Sequence, residues 1–142
     1  MSSEVGNSND AAVETTQAGL AWARAGYRVL SWGLLACIAI QVFLAGMAVF
    51  GGPANWVMHR GFVPVLSTLP LVMFPLAFLG RLPNLQRWLP LGLIFLIGLQ
   101  AALIQFGTLV AALHAVNALL IFWVALILAR GSSMKRKPVA AG

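Results

Sequence analysis

Acidic residues are nearly missing from the chain: there are three in 142 residues, Glu4, Asp10 and Glu14, and none follows Glu14. With no carboxylate near any apolar segment, neither a Ser-His-Asp triad nor a carboxylate acid/base pair can be assembled there. Proton-coupled transport through an Asp or Glu relay is disfavoured on the same ground. Cysteine is scarcer still. Cys37 stands alone inside an apolar run, which rules out an intramolecular disulfide and a cysteine-based metal cluster, and it reads as a small packing residue. There is no Gly-rich nucleotide-binding motif and no HExxH. Charged residues make up 8% of the chain, against about 25% in soluble domains.

What is there is apolar: 61% of residues are hydrophobic. The net charge of +6 does not point to nucleic acid, because the basic residues are not interleaved with aromatics as a base-stacking surface needs. They sit at the edges of apolar runs. Four runs, at about 29–50, 61–80, 88–106 and 108–130, have the length needed to cross a bilayer. The expected fold is therefore an all-α integral membrane four-helix bundle. Residues 1–18 are small and polar and are expected to be a disordered cytoplasmic tail. They contain no Lys or Arg, so no cleaved signal is read there, and the first span is expected to serve as an uncleaved targeting element. Trp22 and Tyr27 read as headgroup-level residues. The segment 131–142 reads as a basic, solvated tail.

The second span contains Pro64, Pro70 and Pro75 and is expected to be bent or locally unwound, with Ser67 and Thr68 re-satisfying freed carbonyls. Pro90 falls in the first turn expected for the third span, where proline costs little. In the first span, Gly33, Cys37, Gln41 and Ala45 recur every fourth residue and predict a stripe facing a neighbouring helix.

Lys and Arg are lopsided. Arg24, Arg28, Arg81, Arg87, Arg130, Lys135, Arg136 and Lys137 fall on one side of the spans, and Arg60 alone on the other. The positive-inside rule then predicts that the N-terminus and C-terminus are both cytoplasmic, as in a multi-pass protein of the inner (plasma) membrane. With that topology, Gln41, His59, Ser67, Gln100, Gln105, His114 and Asn117 all fall in the outer half of the membrane. One polar locus near the outer face is expected. His59 comes earlier in its span than His114 does, so their depths are expected to differ somewhat.

A titratable ring in hydrocarbon needs a partner or a task. Bundle cores commonly hold haem, and two histidines on parallel spans suit axial ligation. The expected metal ligands are His59 and His114, holding a haem b. Arg60 would pair with a propionate, and Gln41, Gln100 and Asn117 would bind propionates or fix a histidine tautomer. Electron transfer with quinone or a membrane partner would follow, without enzymatic chemistry of the chain's own. The alternative is a non-enzymatic subunit or assembly factor with no cofactor, whose polar cluster docks a partner helix or a lipid headgroup; His59 is then an interfacial loop residue and His114 a helix-helix polar contact with Gln100 or Gln41. Beyond lipid and a possible homo-oligomer, no nucleic-acid partner is expected. One-sided polarity disfavours a solute pathway across the membrane.

The strings QVFLAGMAVFGGPANWVMHRG, GLQAALIQF and AALHAVNALLIF resemble a family of small bacterial four-span membrane proteins of unknown function, over about residues 30–130. A more distant likeness is to one four-helix half of haem A synthase. That likeness implies histidines on the second and fourth helices ligating haem near the outer face, with His59 and His114 in those places. The acidic residue and cysteine pair of that enzyme's catalytic half have no counterpart here, so synthase activity does not carry over.

Overall fold

The computed structural model describes residues 2–133 of the 142, with side chains described from Val13 onward. The chain forms α1 (Ser2–Gly51), a short 3-10 turn (Pro53–Asn55), α2 (Trp56–Leu79), α3 (Asn84–Leu103) and α4 (Gly107–Ser133). All four α-helices are long and apolar enough to cross a membrane. The chain thus has the build of an all-helical, multi-pass membrane protein, and its outward side chains suit lipid: Phe50 is 91% and Leu109 86% exposed. Lys135, Arg136 and Lys137 of the basic tail lie outside the described residues.

The helices form a closed ring of neighbours, α1 beside α2, α2 beside α3, α3 beside α4, and α4 beside α1. Among the described residues, the diagonal pairs, α1 with α3 and α2 with α4, do not bring their Cα atoms within 8 Å. Each helix turns a seam with alternating steps of four and three residues toward the centre. On α1 the seam is Tyr27, Ser31, Leu34, Ile38, Gln41, Ala45 and Ala48, every one buried or half-buried. On α2 it is His59, Val63, Leu66, Pro70, Met73 and Ala77. Such spacing keeps one stripe facing the bundle axis in a left-handed supercoil. Between helices in lipid, close packing along this seam holds the bundle, since the tails are as apolar as leucine.

Helix α1 takes the place of the disordered stretch expected over residues 1–18, beginning at Ser2. Once a span is nucleated, each added helical residue costs little. Residues 13–19 are exposed. Of the bend or locally unwound turn expected at Pro64, Pro70 and Pro75, no unwound turn is present: α2 is continuous through all three. Ser67 and Thr68 donate to Val63 and Pro64 at 2.8 Å each. Those carbonyls are four residues back from the hydroxyls, the usual local bond, and are not the ones the prolines free.

Helix α3 begins at Asn84, so Pro90 sits in its second turn and not its first. Proline there leaves the carbonyl four residues back without its helical donor. That carbonyl is Gln86, and the Tyr27 hydroxyl donates to it at 2.7 Å. Tyr27 is therefore fully buried, a correction to the headgroup position expected for it; Trp22 is exposed. The same end of the bundle is tied by Arg24 Nε to the Gly80 carbonyl at 2.8 Å, Arg28 Nε to the Ser132 carbonyl at 3.0 Å and Trp32 Nε1 to Ser133 Oγ at 3.1 Å.

Candidate functional site: a pair of Gln–His clasps

The seam that buries Leu34 and Ile38 carries Gln41 next, so the side chain is directed inward by register and not by its own polarity. Its neighbour across the first helix pair is His59, in the first turn of α2. The Gln41 side-chain amide donates through Nε2 to the His59 main-chain carbonyl at 2.9 Å, and His59 Nδ1 meets the Gln41 main-chain carbonyl at 3.2 Å. The second helix pair repeats the arrangement. Gln100 Nε2 on α3 donates to the His114 main-chain carbonyl at 2.9 Å, and His114 Nδ1 meets the Gln100 main-chain carbonyl at 3.0 Å. Each hairpin is thus closed by one reciprocal Gln–His clasp.

With its partner a carbonyl, Nδ1 must carry the proton in both rings, which leaves the Nε2 lone pair as the acceptor. His114 Nε2 makes no hydrogen bond among the described residues. His59 Nε2 lies 3.3 Å from Gln41 Nε2. Asn117, one turn beyond His114, donates to the Leu96 carbonyl at 2.8 Å and also to Gln100 Oε1. Gln41 Oε1 is buried with no partner among the described residues.

The two rings come from diagonal helices and converge, with centroids 6.5 Å apart and planes inclined at 53°. The rings meet despite the difference in depth expected between them, because α2 starts at Trp56 and His59 lies inside the helix. Trp56 stands edge-on to the His59 ring, centroids 5.4 Å apart. Gln41, His59, Gln100, His114 and Asn117 therefore form one group. Arg60 is exposed beside it, Gln105 is exposed, and Ser67 bonds only within α2. The main-chain carbonyls of Gln41 and Gln100, which orient the rings, were not anticipated; the four-three spacing of the seam was the signal that could have found them.

No curated protein and no solved structure matches the chain. Residues 41–108, which take in Gln41, His59 and Gln100 and end at the start of α4, match the model of a family of unknown function (DUF6220), in keeping with the resemblance drawn from the sequence.

Proposed function

We propose that the chain binds haem b between His59 and His114 and serves as an electron-transfer protein of the plasma membrane. The observation that carries this reading is the convergence of the two rings from diagonal helices, each with Nδ1 committed to a carbonyl. A metal held at about 2 Å by a ring nitrogen from each side places two facing imidazoles with centroids roughly 6 Å apart. An Nδ1–carbonyl bond is the usual outer-shell support of a ligating histidine. The donor set also fits. Metal sites built wholly from protein take three or four ligands, and no group of three or more His, Cys, Asp or Glu occurs among the described residues. A porphyrin brings its equatorial donors and asks the protein only for axial ones.

Bound haem would supply one-electron chemistry. The chain's own residues orient the rings through Nδ1, and Arg60, exposed next to His59 in the chain, would be available to a propionate. The charge asymmetry supports cytoplasmic termini and a site near the outer face, where quinone or a membrane redox partner has lateral access.

A second reading, a cofactor-free subunit that docks a partner, is favoured by one observation: both clasps are closed by bonds within the chain itself. An absorption spectrum separates the two. The purified protein should show a Soret band and, on dithionite reduction, a sharp alpha band, both lost in His114→Ala. A folded but colourless wild type, co-purifying with another membrane protein, would sink the haem reading in favour of the second.

A further inference from the structure

The two clasps share the same pair of main-chain bonds and differ at both ends of the glutamine amide. In the second, Gln100 Oε1 accepts from Asn117, three residues after His114. Three residues after His59 comes Phe62, which has no side-chain donor, and Gln41 Oε1 is correspondingly buried and unpartnered. The Gln100 amide is thus held at both ends, and its Nε2 is committed to the His114 carbonyl. The Gln41 amide is held at one end only. Its Nε2 is shared between the His59 carbonyl at 2.9 Å and His59 Nε2 at 3.3 Å, and the latter carries the lone pair a metal would take. His114 Nε2 has no such competitor.

We infer that the two histidines are unequal ligands: His114 is the resident one, and His59 is exchangeable, so that the coordination position on its side admits a small neutral diatomic ligand. The inference rests on the haem reading above. The Gln41 amide, released from the histidine, stands beside that position as a hydrogen-bond donor, while its buried Oε1 has no bond to lose when the amide turns. Binding of such a ligand to ferrous iron exchanges one lone-pair donor for another and needs no oxidant or reductant.

The test uses the full chain in detergent, loaded with haem b, reduced, and mixed rapidly with carbon monoxide while the Soret band is followed. Wild type should take up carbon monoxide readily, and His59→Ala should keep its haem and react at least as fast, whereas His114→Ala should lose the haem. Phe62→Asn supplies the missing donor for Gln41 Oε1, frees His59 to ligate, and should slow uptake about tenfold by lowering the competent fraction. Gln41→Leu removes the competitor outright and should slow uptake in the same direction, which keeps the inference testable if Phe62→Asn fails to fold. Haem-loaded proteins with one common rate across wild type, Phe62→Asn and Gln41→Leu would overturn the inequality and leave haem binding standing. Failure of the wild type to take up haem would remove both.

Discussion

The Tyr27 hydroxyl donates at 2.7 Å to the Gln86 carbonyl, the one main-chain acceptor in α3 that Pro90 deprives of its helical donor. A residue of α1 therefore repairs a gap in α3, and the two features should be coupled. Tyr27→Phe leaves a carbonyl unsatisfied and should cost about 1–2 kcal/mol of stability. Pro90→Ala returns an N–H to Gln86, so Tyr27→Phe should cost measurably less in that background. Unfolding in detergent of the wild type, both single variants and the double variant gives the coupling directly; additive costs would separate the two features.

Two glycines at the same end of the bundle should answer differently to alanine. A Cβ on Gly80 would stand 3.1 Å from the Leu76 carbonyl oxygen, 3.2 Å from Arg24 Cγ and 3.4 Å from the Arg24 main-chain nitrogen. Backbone cannot step aside, so Gly80→Ala should destabilise by about 1–3 kcal/mol, as overpacking does. At Gly131 the Cβ would come 2.7 Å from Gln86 Nε2, the far end of a flexible side chain. Gly131→Ala should lower the thermal midpoint much less than Gly80→Ala, and a reversed order would contradict the packing described.

Asn117 is buried in α4 and bonds both Leu96 and Gln100 on α3. Asn117→Leu fills the space but forfeits both bonds. Inter-helical hydrogen bonds in membranes average about 0.6 kcal/mol and reach about 1.7, so a loss of about 1–3 kcal/mol is expected. Unfolding of this variant beside wild type measures it.

The proposed orientation can be checked by labelling. In a Cys37→Ser background, Ala54→Cys lies in the exposed 3-10 turn after α1 and Asn84→Cys at the exposed start of α3. In intact cells a membrane-impermeant maleimide should label Ala54→Cys, and Asn84→Cys only after the membrane is opened. The opposite pattern would invert the topology and place the histidines near the cytoplasm.

The four spans were legible because runs of about 20 apolar residues have little else to be. The extent of α1 was not, since Ser, Asn, Thr and Ala near its start give no helical periodicity, and the helix there is propagated from the span that follows. The gathering of Gln41, His59, Gln100, His114 and Asn117 was legible as a shared half of the membrane, and a contact of His114 with Gln100 or Gln41 was foreseen, but the pairing of Gln41 with His59 was not. A stripe at every fourth residue, such as Gly33, Cys37, Gln41 and Ala45, drifts by about 40° per step around a helix of 3.6 residues per turn. Only alternating steps of four and three stay on the axis, and that register is what sets Gln41 against His59. Tyr27 was misplaced because tyrosine at a span edge usually sits among headgroups; the need created by Pro90 appears only once α3 is known to start at Asn84.

The paired clasps have a consequence that concerns symmetry. Two identical hairpins associating about a two-fold axis would carry the same residue in both equivalent positions, so neither histidine could be favoured over the other by sequence. Here both hairpins belong to one chain, and Phe62 and Asn117 occupy equivalent places with different chemistry. Because both hairpins lie in one chain, a substitution at Phe62 or Asn117 alters one clasp and leaves the other as it is.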